Sequence, residues 1–217
     1  MIRYLLICFT AGAILWSGCR PESEGNLRLD VNIRHDYSDD PLSEIDLELE
    51  RRVLTNGVLN GNYESVTQAS TDVSGKASLT FQRVNALDYQ LHGSGNDWFS
   101  WSVWINPDDF LAQEVIALDH HMTPSAEVVI RLINANPLDE NDLISFRTLN
   151  IPGDYPTCSN TWENYSGIDV DVTRSCWIEA DRYLPYAYSV NRNGQWTETV
   201  DSLWIDQGEL ASLLIAW

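Results

Sequence analysis

The 217-residue chain has no G-x-S-x-G elbow, no P-loop, no H-E-x-x-H pair and no dinucleotide fingerprint. No enzyme of those classes is expected, and no cofactor is called for. Positive charge is scarce: 13 Lys and Arg stand against 32 Asp and Glu, a formal net charge of −19. Such a surface repels phosphate backbones, which excludes nucleic acid as a partner, and it gains nothing from anionic lipid headgroups. Carboxylates are so frequent that no pair of them singles out a glycosidase. Helical stripes are missing too, and residues 107–113 allow one short helical turn at most. Of the four histidines, His35, His92, His120 and His121, the last two are neighbours, and neighbours on a strand point to opposite faces. No metal site is therefore expected there. Asp36, Asp39 and Asp40, and likewise Asp139, Glu140 and Asp142, lack the spacing, glycine and closing glutamate of an EF-hand loop and read as acidic turns.

Cysteine is also sparse, and its four positions divide cleanly. Arg3 is the only charge before an apolar run from Tyr4 to Trp16, which ends in Ser17, Gly18 and Cys19. A positive start, a hydrophobic segment of about 7–15 residues and small residues at the cut site describe a secretory signal peptide over 1–18, too short to span a bilayer. Its removal takes Cys8 and one arginine away and leaves 199 residues with 12 basic against 32 acidic side chains. Leu15-Trp16-Ser17-Gly18-Cys19 resembles the lipobox of bacterial lipoproteins, with Trp16 where the family prefers leucine. The resemblance implies cleavage before Cys19, lipidation of Cys19 with diacylglycerol and a further acyl chain such as palmitate, and anchoring in a bacterial cell envelope. Residues 19–26 then form a polar tether. Its acidic residues resemble the surface-export signal of Bacteroidetes lipoproteins, which places the chain at the outer membrane, on its periplasmic or surface face.

Cys158 and Cys176 remain as an isolated pair in an oxidising compartment, which reads as a disulfide. A two-cysteine metal site is the alternative, and it lacks a nearby histidine.

Past the tether the hydrophobic period is two. Leu27, Leu29, Val31 and Ile33 alternate with polar residues, as do Ile45, Leu47 and Leu49; Ala77, Leu79 and Phe81; and Leu87, Tyr89 and Leu91. A strand is expected over 98–105 and another from Val115 to Leu118. After Pro124 the alternation resumes at Val128, Ile130 and Leu132, then at 143–149, Ile168 to Val172 and Tyr186 to Val190. Residues 151–167 read as one long loop. Asn193-Gly194 is the strongest hairpin signal, with Trp196 and Val200 on one face of the returning strand and Leu213 to Trp217 closing the chain as a strand. The expected fold is all-β, two tandem antiparallel β-sandwich domains over 27–123 and 124–217.

Two resemblances add to this. Asp72-Val73-Ser74-Gly75-Lys76-Ala77 with Leu79, Phe81 and Tyr89 is similar to the turn-and-strand signature of transthyretin-like, carboxypeptidase-regulatory-type domains. That group implies an accessory or adhesive module. Its 5-hydroxyisourate-hydrolysing relatives need a Tyr-Arg-Gly-Ser ending that Leu213 to Trp217 does not match. Residues 126–217, with Leu132-Ile133-Asn134, Pro137 and Asp142, resemble an immunoglobulin-like domain of Bacteroidetes lipoproteins. The expected role is a non-catalytic binding or assembly module held to the membrane by its lipid, with another envelope protein or a glycan as partner. Trp98, Phe99, Trp101 and Trp104 fall within seven residues, and alternation sets Phe99 and Trp101 against Trp98 and Trp104. With Asn96, Asp97 and Asn106 nearby, one face of the cluster has the composition of a sugar platform, and Trp162 with Tyr165 offers a second. Packing against the second domain or under the 106–113 loop is the commoner use of such rings. Asp201-Ser202-Leu203 is similar to a short Bacteroidetes O-glycosylation acceptor.

Overall fold

The computed structural model describes residues 25–55, 58–59, 61–149, 158 and 160–217. Cys8, Cys19 and the stretches expected to be a signal peptide and, up to Glu24, a tether lie outside them. The chain folds into two β-sandwiches in tandem, each around its own hydrophobic core.

In the first, β1 (Asn26–His35) is the middle strand of a three-stranded sheet, between β5 (Lys76–Gln82) and β8 (Val115–Met122). Facing it is a five-stranded sheet of β2 (Asp46–Thr55), β3 (Val58–Leu59), β4 (Glu64–Ser70), β6 (Ala86–Ser94) and β7 (Trp101–Ile105), in which β3 and β4 both pair with β2. Leu27, Leu29, Val31 and Ile33 point inward and are buried, together with Leu47, Leu49, Leu79, Tyr89 and Leu91. Each such aliphatic side chain contributes about 1.5–3 kcal/mol by leaving water. One helical turn, α1 (Asp109–Ala112), drops Phe110 into the end of this core. Asn26 already pairs with Gln82, and the Gly25 carbonyl accepts the Arg83 N–H, so the sheet begins inside the stretch expected to be tether.

The second sandwich repeats the plan. Its first strand, β9 (Ser125–Ile133), lies between β12 (Asp171–Glu179) and β15 (Leu210–Ala216). The facing sheet runs β11-β10-β13-β14, from β11 (Glu163–Ser166) through β10 (Leu143–Thr148) and β13 (Arg182–Arg192) to β14 (Gln195–Ile205). Ile130, Ile144, Phe146, Ile178 and Ile205 fill the space between. The β13–β14 turn places Asn193 at φ 51° and Gly194 at φ 76°, the left-handed pair that a two-residue hairpin demands. Cys158 and Cys176 are disulfide-bonded with their Cα atoms 5.6 Å apart, and both are buried in this core.

Several details differ from the sequence reading, among them the alternation read from Ile168, where 168–169 form a turn and β12 starts only at Asp171. The sandwiches are not antiparallel throughout: β8 runs parallel to β1 and β15 parallel to β9, so each unit's last strand returns beside its first. Alternation specifies which face a residue takes and is silent on the direction of the neighbouring strand. The strand expected over 98–105 begins only at Trp101, because Trp98 and Phe99 turn away to meet Pro124 and Thr123. Within the stretch read as a loop, Glu163–Ser166 pairs with β10. The two-residue β3 carries no pattern long enough to read.

Buried and turn carboxylates lock the loops. The Asp142 side chain has no exposure; it accepts hydrogen bonds from the Leu138 N–H (2.8 Å) and Asn134 Nδ2 (3.1 Å), with Arg192 Nε 3.9 Å away. These bonds, Leu138 first, hold its carboxyl below the usual carboxylate range. Asp72 is lowered in the same sense by Ser74 in the Gly75 turn, and Asp88 by Arg52. Groups depressed in the folded state stabilise it above the unfolded carboxylate pKa of about 4, and that contribution disappears as pH falls through their folded values. The melting temperature is therefore expected to drop on acidification below about pH 4. Asp142→Asn should flatten that acid limb for the second sandwich, measured as melting temperature against pH.

Candidate functional site

The aromatic residues singled out in the sequence take up four separate environments. Trp98 stands edge-on to His35, ring centroids 5.3 Å apart, and packs partly against the first core. Trp101 points inward on β7 and lies across Gly93, where a Cβ would sit 2.2 Å from the indole nitrogen. Its other face stacks on His120 at 3.8 Å. Burial lowers the His120 pKa, which keeps that stacked ring neutral. Trp104 faces the opposite way, 58% exposed, edge-to-face with Tyr63 and 5.5 Å from the Arg52 guanidinium, which Asp88 holds through two hydrogen bonds. Trp162 lies in the second sandwich with the Arg147 guanidinium 4.4 Å over its ring. The structure thus does not assemble Trp98, Trp101, Trp104 and Trp162 into one platform. Alternation was right within β7, where Trp101 and Trp104 diverge, and the bend at Phe99 removes Trp98 from the series.

The structure does build a cleft where the sandwiches meet. Its walls are Asn96, Asp97, Trp98, Phe99 and Ser100 from the β6–β7 loop of the first unit, with Ser125 and Trp177 from the second; its volume is about 630 Å³. Trp177, on β12, is 51% exposed. The joint beneath is polar. Ser125 N–H and Gln207 Nε2 both donate to the Asp97 carbonyl, at 2.8 and 3.1 Å. His35 Nε2 is 3.5 Å from Asp181 Oδ2, and Tyr37 donates its hydroxyl proton to Glu179 Oε2 at 3.2 Å. Burial, followed by the neighbouring Glu179 charge, raises the Tyr37 pKa, so this donor stays protonated. Asp97 and Asp181 hold left-handed φ values of 62° and 55° to make these turns. Trp177 was missed in the sequence because a lone tryptophan on a predicted strand does not show which residues of another domain face it.

The acidic turns form local structure. Asp36 accepts from the Thr123 hydroxyl, Asp39 meets Arg34 and His121, and Asp139 accepts the Asn141 N–H. Among the described residues no group of three or more His, Cys, Asp or Glu side chains is arranged to hold a metal ion, and no helix is long and apolar enough to cross a membrane.

No family model matches the chain, and no curated protein does. Several solved structures are similar to it at low identity. The TIE protein of Bacillus anthracis matches at 10% identity and a TM-score of 0.37, over 88% of this chain and 34% of that one. A variant of the shaft pilin SpaA of Lactobacillus rhamnosus GG matches at 11% and 0.36, over 88% of this chain and 98% of the pilin. The streptococcal ancillary pilin matches at 10% and 0.33, over 91% and 63%. This chain thus spans about a third of the Bacillus anthracis protein and nearly all of the Lactobacillus one. These scores are low, and nothing about this chain's role follows from them.

Proposed function

We propose that the chain is a lipid-anchored protein of a bacterial cell envelope, exported by its 1–18 signal peptide, attached through Cys19, and acting as a non-catalytic binding or assembly module at the outer membrane. The observation that carries this reading is the lipobox-like Leu15-Trp16-Ser17-Gly18-Cys19, followed after a few residues by two tandem sandwiches. The first sandwich is read as transthyretin-like. Its Asp72 turn supports this: Asp72 Oδ1 accepts from Ser74 N–H, Ser74 hydroxyl and Lys76 N–H around Gly75 at φ 74°. The second is read as immunoglobulin-like. Cys19→Ala, or inhibition of the lipoprotein signal peptidase, is expected to accumulate unprocessed precursor or release the protein from the membrane fraction. An unchanged fraction and an unchanged mass contradict the reading.

A second reading, a carbohydrate-binding accessory lipoprotein, is favoured by one observation. The shallow depression between the sandwiches is lined by the exposed Trp177 together with Asn96, Asp97 and Ser100, an aromatic ring with amide, carboxylate and hydroxyl groups around one surface. On this reading the site moves from the Trp98 to Trp104 run to the joint. A glycan array is expected to show binding that Trp177→Ala abolishes and Trp104→Ala leaves intact; binding indifferent to Trp177→Ala contradicts this site.

A further inference from the structure

β14 ends its sheet and, among the described residues, pairs with β13 alone. Its eleven residues make it the longest of the described edge strands. Proteins usually blunt such edges with lysine, proline, a bulge or shortness. β14 contains no Lys, Arg or Pro, its register with β13 is unbroken from Arg192↔Gln195 to Arg182↔Ile205, and the only charges along it are Glu198 and Asp201.

The direction of its free backbone groups is fixed by a proline. Pro185 turns its carbonyl away from β14 to accept the Leu149 N–H at 2.8 Å. Its partner on β14 is Ser202. In an antiparallel ladder the two residues of such a pair both point their N–H and C=O groups outward. Ser202 therefore faces away from β13, and its N–H is met by its neighbour's carboxylate, Asp201 Oδ1, at 2.7 Å. By alternation Trp196, Glu198, Val200 and Trp204 also direct their backbone groups to the open edge. Their side chains share one face of the sheet and all are exposed, with Trp196 at 57%, Val200 at 64% and Trp204 at 45%.

We propose that this edge is a self-association surface, on which β14 of a second copy pairs antiparallel about a two-fold axis through Val200. Val200 is the middle of the eleven residues, so this register uses every position of the strand. It sets Trp196 against the second copy's Trp204 at both ends and Val200 against its own counterpart. Glu198 then faces Ser202 and Asp201 faces Thr199. Registers centred on Glu198 or Asp201 would instead bring like carboxylates face to face, which is destabilising. The two four-stranded sheets become one continuous eight-stranded sheet, an isologous contact that closes on itself. The surface belongs to the assembly role read above and does not depend on the lipid.

The test uses the full chain. In a two-fold hydrogen-bonded pair the two Val200 Cα atoms lie about 5.5 Å apart, within disulfide range. Val200→Cys is expected to give a covalent dimer on mild oxidation. Thr197→Cys, whose counterpart would be about 20 Å away, should not. By light scattering of the detergent-solubilised chain, Val200→Lys and Val200→Pro should each halve the measured mass; the proline removes only an outward N–H. The dimer should weaken at low salt, where two chains of net charge −19 repel most. A wild-type monomer at every concentration, crosslinking of Thr197→Cys but not Val200→Cys, or capture of a different protein at residue 200 each overturns the proposal. A lipidated monomer would refute this surface and leave the anchor standing, whereas an unlipidated dimer would do the reverse.

Discussion

Reducing the Cys158–Cys176 disulfide is expected to lower the stability of the second sandwich by about 3 kcal/mol, the chain-entropy value for a loop of this size. The two cysteines are 18 residues apart and both are buried in the core of the second sandwich. Cys176 is on β12, in one sheet, and Cys158 precedes β11, at the far edge of the other, so the bridge ties the two layers together. For a domain of about 100 residues, 1 kcal/mol moves the melting temperature by roughly 4–8 °C. Calorimetry with and without reductant should show the second transition falling by more than about 10 °C while the first stays in place. A Cys158→Ala, Cys176→Ala double variant checks that the loss belongs to the bond and not to the reductant.

Phe110→Ala is the counterpart in the first sandwich. Phe110 is 1% exposed and meets Phe81 at 5.6 Å and Tyr89 at 5.8 Å, closing an aromatic triangle at the open end of the core. It is carried on a helical turn of four residues, too short to be stable by itself, so the ring holds the turn in place and not the reverse. Removing it leaves a cavity and costs about 3–5 kcal/mol. The Arg83 guanidinium, which donates to the Phe110 carbonyl at 2.8 Å, loses its positioned acceptor as the turn loosens. The lower-stability transition in a denaturant melt should be that of the first sandwich, with faster amide exchange over 106–114. A variant that lowers both transitions equally would show that the two cores unfold as one.

What the sequence disclosed follows from what period-two alternation encodes. It named the inward residues of β1 and β9 because a buried face leaves its mark at every second position, whereas on β6 Tyr89 and Leu91 are buried and Leu87, at the strand's start, is 41% exposed. It identified the Asp72 and Asn193-Gly194 turns because each needs a residue tolerant of positive φ. It did not reveal the parallel β1–β8 and β9–β15 pairs, since strand direction leaves no trace in the pattern. The aromatic run showed the limit from another side. Trp98 to Trp104 are close in sequence, yet the bend at Phe99 and the missing side chain at Gly93, which lets the Trp101 ring lie across it, send their rings to different environments. The aromatic edge of β14 was half visible, in Trp196 and Val200, but its meaning depends on sheet order, which places β14 outermost.

The most direct test of the central claim is the intact mass of the chain recovered from the membrane fraction of cells expressing it from Met1. A lipid-anchored envelope protein is expected to begin at Cys19, to carry the added mass of diacylglycerol and an acyl chain on that residue, and to lose that mass on Cys19→Ala. A chain that retains residues 1–18, or one that starts near Cys19 with an unmodified thiol and appears in the soluble fraction, would contradict it.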